Sequence, residues 1–229
     1  MTVDFVFFHI GPDLTLPEML VNSIKKTNSK SKIIQLSDLT TPQVSLTDEI
    51  QRFQGNQENI MYFRAEAYLQ ANFNNPTIFI DTDMLVIKEI TEDEVFGPNK
   101  YIFCERYFDN LINPEYLKLH DLEANLGKTL KQIFPFLGCF IGAKDNKIFQ
   151  EIYKNFNKLD KKYRKWNGDQ IALADTFKRF KKVGLISEKE YAYPISAGEN
   201  FNDSYIIHFK GNNKEKMKTY YSRFFENKN

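Results

Sequence analysis

Thr77-Ile78-Phe79-Ile80-Asp81-Thr82-Asp83-Met84-Leu85-Val86 is the stretch on which the reading of this chain turns. Thr77–Ile80 reads as a buried strand, and an aspartate pair follows it directly. In extended backbone, residues two apart point to the same side, so the Asp81 and Asp83 carboxylates converge. Two converging anions call for a cation between them, and oxygen ligands suit Mg²⁺, Mn²⁺ or Ca²⁺. Open α/β sheets bind ligands beyond the carboxyl ends of their strands, which is where this pair stands. The bland alternative is a turn carrying two solvated acids. The apolar strand before the pair and Met84-Leu85-Val86 after it favour the cation site.

Working outward, Asn56 is placed to cap a helix over Gln57–Ala71, with Ile60, Phe63, Ala67 and Ala71 on one face. Asn74-Asn75-Pro76 breaks it. Nearer the start, Val3–Ile10 is almost wholly apolar and ends at Gly11-Pro12, as a strand of a parallel sheet does. Thr15 caps a predicted helix with Leu16 and Pro17 in its first turn, running to about Lys26. Lys32–Leu36 is the next strand, giving a βαβ unit. Pro42–Gln54 reads as irregular. Downstream, the sequence predicts a short strand at Tyr101–Cys104 and a helix from Pro114 toward Ile133, stopped by Pro135. A glycine-punctuated strand with a tight turn is expected at Phe136–Ala143. Helices follow at Asn146–Leu159 and Asp169–Phe180, strands at Lys182–Leu185 and Ser204–His208, and a basic, aromatic helix at Asn213–Phe225. The expected architecture is α/β with a mixed central sheet, one domain over residues 1–229 with 213–229 as a C-terminal helical tail.

Composition limits the function. With 229 residues the chain can bury roughly 70% of its unfolded surface and needs no disulfides. Its 21 Phe and 12 Tyr supply apolar area that argues against disorder. Lys and Arg total 31 against 30 Asp and Glu, without the basic excess of a dedicated nucleic-acid binder. Cys104 and Cys139 lack metal-site spacing and read as buried reduced thiols. No apolar run reaches the roughly 20 residues of a membrane span, and Met1–Ile10 lacks a signal-peptide pattern, so the expected compartment is the cytoplasm.

Two further segments carry polar chemistry. His208 ends a predicted strand, with Gly211 and Lys214 three and six residues on. The imidazole suits a third metal ligand, Gly211 a close backbone approach to a diphosphate, and Lys214 a charge on phosphate oxygens. The bland reading is a surface histidine in a basic segment. In Trp166-Asn167-Gly168-Asp169-Gln170, Asp169 is a plausible N-cap, which puts Gln170 in the first helical turn.

Taken together, these motifs resemble the metal-dependent GT-A glycosyltransferases, specifically the family 8 group that includes glycogenin and bacterial lipopolysaccharide galactosyltransferases. Phe79–Val86 is similar to that family's apolar–Asp-x-Asp–apolar signature, Asn167-Gly168-Asp169-Gln170 to its Gly-Asp-Gln element, and His208-Phe209-Lys210-Gly211-Asn212-Asn213-Lys214 to His-Phe-x-Gly-x-x-Lys. Arg64, roughly 17 residues before Asp81, matches a basic position upstream of the metal motif. Two departures stand out. Glu215-Lys216 replaces the family's Pro-Trp, and the Asn-x-Gly element that helps hold the donor sugar has no asparagine at Phe136-Leu137-Gly138-Cys139-Phe140.

The resemblance implies a three-layer, Rossmann-like GT-A fold and transfer, with retention, from a nucleotide-sugar, a UDP-sugar, to a glycan, lipid-linked or protein acceptor. It implies Mn²⁺ (or Mg²⁺) held by Asp81, Asp83 and His208. Thr82, Arg64, Gly211 and Lys214 would attend the nucleotide diphosphate, and Asp169 and Gln170 the reacting sugar. The nucleotide is expected against the end of the first strand, at Phe8, His9 and Ile10; a satisfied polar group at a strand end is the plainer account of His9. Basic residues mixed with aromatics in Lys214–Lys228 allow peripheral contact with the inner face of an anionic membrane, or simply a closing helix. Three other readings fit the sequence less well. A haloacid-dehalogenase-like phosphatase also uses Asp-x-Asp, but Leu85 stands where its motif wants Thr or Val. A sugar-nucleotide pyrophosphorylase needs a Gly-rich N-terminal loop that Gly11-Pro12-Asp13 does not supply. A catalytically inactive sugar-nucleotide-binding domain would not need all three metal positions intact.

Overall fold

The computed structural model describes residues 2–164 and 167–226. The chain begins with β1 (Asp4–Phe8), α1 (Thr15–Thr27), β2 (Ile33–Ser37) and β3 (Glu49–Arg52). It continues through α2 (Ile60–Gln70), β4 (Thr77–Ile80), β5 (Met84–Val86), α3 (Glu92–Val95) and β6 (Tyr101–Glu105). An excursion with α4 (Pro114–Leu119) and α5 (Leu130–Ile133) leads to β7 (Phe136–Ala143), α6 (Lys147–Lys158) and α7 (Gly168–Arg179). The last elements are β8 (Val183–Ser187), α8 (Glu188–Tyr191), β9 (Tyr193–Pro194), β10 (Ile206–His208) and α9 (Met217–Phe225).

Seven strands form a mixed sheet in the order β3-β2-β1-β4-β7-β6-β8. β7 runs antiparallel to both β4 and β6, while the β1–β2, β1–β4, β2–β3 and β6–β8 pairs are parallel. A small second sheet has the order β5-β10-β9. The central sheet is covered on both faces, which explains its nearly continuous apolar strands. Phe5, Phe7, Ile78 and Ile80 pack with α1, the small sheet and α9. Val6, Phe79 and Phe103 alternate to the other face, where α2, α6 and α7 cover them. The result is three layers.

Several predicted elements shift. Pro42–Gln54 contains β3, an edge strand held by parallel backbone pairing to β2 rather than by apolar side chains. The helix expected from Asn56 starts at Ile60, because Asn59 accepts from the Tyr62 amide while Asn56 accepts from the Glu58 amide in the preceding turn. Thr15 is the first residue of α1 rather than its cap, and its amide donates to Asp13. The single helix predicted from Pro114 to Ile133 is two short ones with a 3₁₀ turn between them. Asp121 and Gly127 adopt positive φ (55° and 82°), and Thr129 restarts the helix with a capping box to Gln132. Phe136–Ala143 is one uninterrupted strand without a tight turn; the ladder's irregularity lies across from it, between Phe103 and Cys104. Gly211–Lys216 is 3₁₀, so α9 begins only at Met217. Cys104 and Cys139 are buried free thiols whose pKa values burial pushes up. Among the described residues, no helix is long and apolar enough to cross a membrane.

Candidate active site

Asp81 leaves the end of β4 with its amide donating to the Cys139 carbonyl of β7 at 3.2 Å. Thr82 and Asp83 then make a turn that redirects the chain into β5. The two carboxylates therefore converge through a turn, not along extended backbone as the sequence suggested. β5 pairs with β10 so that His208 lies opposite Met84, and the Phe209 amide donates to the Asp83 carbonyl at 2.8 Å. This brings His208 Nε2 to 3.3 Å from Asp83 Oδ1. One ligand atom each of Asp81, Asp83 and His208 lies within 4.8 Å of the others.

Two cations balance these acids. Arg64, on α2, bridges two elements: one guanidinium nitrogen is 2.8 Å from Asp81 Oδ1, the other 2.5 Å from Asp169 Oδ2. Lys214 Nζ is 3.3 Å from Asp83 Oδ2. Burial pushes the Asp81 carboxyl up; Arg64 opposes this, and the like charge of Asp83 adds to it. Burial acts the same way on Asp83, but the hydrogen bond and charge of His208, together with Lys214, outweigh it and hold that carboxyl well below the usual range. Asp169 is raised by burial against the pull of Arg64. Burial would depress the guanidinium of Arg64; its carboxylate neighbours keep it firmly protonated.

Asp169 is not the cap of α7. Asn167 holds that position without a side-chain bond to the helix, and accepts instead from the Tyr116 hydroxyl at 2.8 Å. Asp169 sits in the first turn and accepts from the Gln170 amide at 2.8 Å. Gln170 Oε1 accepts from Arg106 at 3.0 Å. Trp166, from the same sequence motif, lies outside the described residues, as does Lys228 of the tail.

A cleft of about 610 Å³ gathers these groups, within the range of small-molecule sites. Asp81, Thr82, Asp83 and His208 line one part, with Gly211 (φ 65°) and Lys214 beside them. Arg64, Asp169 and Gln170 line another, and Phe8 closes a side, its ring edge-on to Phe63 at 5.3 Å. His9 and Ile10 do not line the cleft. His9 is anchored by its backbone, which donates to Leu36 and accepts from Ser37, and burial lowers its pKa.

The sequence reading missed Gly138, Arg106, Lys210 and Glu188. In the sequence Gly138 stands out only within a departure from a family element, yet it fixes the site's geometry. A Cβ there would stand 2.0 Å from Asp169 Oδ2 and 3.3 Å from an Arg64 nitrogen, so only glycine leaves room for that ion pair. Arg106 lines the cleft just past the end of β6, as Asp81 does past β4. That placement, a charged residue directly after a buried strand, is a signal the sequence does carry. Lys210 also lines the cleft, and it donates to Glu188 at 3.2 Å.

The donor set, two carboxylates and an imidazole, fits a divalent cation; Lys214 and Arg64 bring only two positive charges against Asp81, Asp83 and Asp169. No family model and no curated protein matches the sequence. Solved structures do match the fold. One described as a glycosyltransferase involved in the glycosylation of the major capsid of PBCV-1 superposes with a TM-score of 0.63 at 9% identity, over 97% of this chain and 100% of that one. The apo structure of WbbM, a bifunctional glycosyltransferase, superposes with a TM-score of 0.54 at 15% identity, over 92% of this chain and 46% of that one. The mixed α/β architecture with its seven-stranded central sheet is thus a fold found in glycosyltransferases.

Proposed function

We propose that this chain is a metal-dependent glycosyltransferase that moves a sugar from a UDP-sugar to a glycan, lipid-linked or protein acceptor with retention, acting as one catalytic domain. The observation that carries the proposal is the convergence of Asp81, Asp83 and His208 beside Lys214, Arg64, Asp169 and Gln170 in one cleft at the strand ends. The chemistry asks for little more. As the bond from the anomeric carbon to the diphosphate breaks, negative charge grows on the leaving group. Mn²⁺ (or Mg²⁺) bound by Asp81, Asp83 and His208 supplies electrostatic stabilisation of that charge; imidazole in the set favours Mn²⁺.

The chain's own residues do the rest. Lys214 reaches the diphosphate oxygens, and Gly211 lets the backbone approach them. Arg64 holds Asp81 and Asp169 in fixed relation. Asp169 and Gln170, braced by Arg64 and Arg106, face the sugar and orient its reacting carbon. The nucleotide lies against Phe8, with His9 and Ile10 behind it. A cytoplasmic enzyme with a lipid-linked acceptor would work at the inner face of a membrane. Because α9 packs Met217 and Tyr220 into the core, membrane contact would rest on exposed Lys216, Lys218 and Arg223.

Calorimetric titration with UDP, with and without Mn²⁺, tests the central claim. Binding should require Mn²⁺ and should collapse in Asp83→Asn. Metal-independent behaviour with UDP, GDP, CMP and dTDP alike would remove the proposal. Metal-dependent hydrolysis of the donor separates a working transferase from a domain that only binds sugar nucleotide.

A further inference from the structure

The corner of the cleft beyond Gln170 holds charge that the proposed reaction uses only to brace that residue. Glu188, at the start of α8, is completely buried. One of its oxygens accepts from the Tyr107 and Phe108 amides, both at 3.0 Å. The other faces two cations, Lys210 Nζ at 3.2 Å and an Arg106 nitrogen at 3.9 Å. One carboxylate thus stands directly against two positive side chains.

Arg106 is only 6% exposed, yet it lines the cleft. Its Nε donates to the Phe134 carbonyl at 2.9 Å and one Nη2 hydrogen to Gln170. Among the described residues its Nη1 group makes no hydrogen bond, since 3.9 Å to Glu188 is too long for one. A guanidinium in the protein interior is normally matched in charge and saturated in hydrogen bonds. This one shares its carboxylate partner with Lys210 and is not saturated, and both cations line the cleft.

Resting on the glycosyltransferase reading, we propose that Arg106 and Lys210, braced by Glu188, form an anion subsite that takes an acidic group, carboxylate or phosphate, carried by the acceptor. The subsite is distinct from the Asp81–Asp83–His208 cluster, where Lys214 pairs with Asp83 and Arg64 is shared between Asp81 and Asp169. It adjoins Gln170, so an acidic acceptor held there lies next to the residue that faces the donor sugar. The planar fork of Arg106 suits two oxygens at once, and Lys210 adds a point charge.

The full chain is titrated with glucuronate, glucose 6-phosphate and glucose by ligand-observed NMR, alone and with UDP and Mn²⁺ present. Both acidic sugars should bind about tenfold more tightly than glucose, as charge-assisted hydrogen bonds imply. A preference for one acid over the other identifies the group as carboxylate or phosphate. Arg106→Gln and Lys210→Gln should each erase the preference. Lys210 is partly exposed, so its variant stays informative even if the buried Arg106 variant folds poorly. Asp83→Asn should keep the preference. If UDP fails to bind but the acid preference persists, the transferase reading falls and the subsite stands. Equal binding of all three sugars, binding of none, or a Lys210→Gln variant that weakens UDP as Asp83→Asn does would overturn the subsite, the last by assigning the corner to the diphosphate.

Discussion

At the scale of single residues, the site depends as much on an absent side chain as on those present. Gly138 lies on β7 opposite the first turn of α7, and the Arg64–Asp169 pair fills the space its Cβ would take. Gly138→Ala leaves strand geometry intact but puts a methyl 2.0 Å from an Asp169 oxygen. The oxygen terminates a short side chain, so it can swing away, and the overpacking should cost about 1–3 kcal/mol rather than unfold the protein. The functional loss should be larger, because Arg64 then releases one of the two acids it spaces and Gln170 shifts with its turn. Thermal melting together with Mn²⁺-dependent donor hydrolysis checks this. A variant that melts a few degrees lower and hydrolyses donor at least about tenfold more slowly fits. One that turns over normally would show that the Arg64 bridge is not needed for the chemistry.

At the scale of elements, the legible parts were those whose side chains announce their environment. β1 and β4 are covered on both faces, and their apolar runs say so. Asp81, Asp83 and His208 follow or end strands, where polar residues after buried ones are conspicuous. β3 was invisible because an edge strand can form on backbone pairing with Glu49-Ile50-Gln51-Arg52 alone. The Pro114–Ile133 excursion was misread as one helix although Gly127, a poor helix former, stands inside it; Asp121 and Gly127 leave helical φ, and the small core of Ile112, Leu117, Leu122 and Phe134 needs a folded-back chain. The Arg106–Glu188 corner joins residues 82 positions apart, which no local pattern encodes. Of the tail's two readings, its packing bears on the closing helix: Met217 is fully buried and Tyr220 nearly so. Met217→Ala should therefore cost about 3 kcal/mol, lowering the melting temperature by roughly 6–12 °C in a chain of this size. A shift below about 2 °C would mean that α9 is not seated on the core and would return its aromatic residues to the membrane hypothesis.

At the scale of the whole molecule, the cleft combines groups that oppose one another in folding. Asp81 and Asp169 have folded pKa values raised by burial, so keeping them ionised at neutral pH works against stability, a penalty that disappears as pH falls below their unfolded values. Asp83 runs the other way. Its value is depressed by His208 and Lys214, so it contributes stability above the ordinary carboxylate range and loses it as pH drops through the folded value. A divalent cation favours every ionised carboxylate it touches and so removes part of the Asp81 penalty, while protons compete with it. Mn²⁺ should consequently stabilise the fold, and more at pH 7.5 than at pH 5.5, because Asp81 takes up a proton more readily than an ordinary aspartate as pH falls. With the ion at 100 times its dissociation constant the gain is about 2.7 kcal/mol, a rise of roughly 5–10 °C in melting temperature. Melts in EDTA and in Mn²⁺ at both pH values measure it, with Asp83→Asn as the control. A rise that survives in Asp83→Asn, or that grows as the solution is made more acid, would place the ion somewhere other than the Asp81–Asp83–His208 cluster.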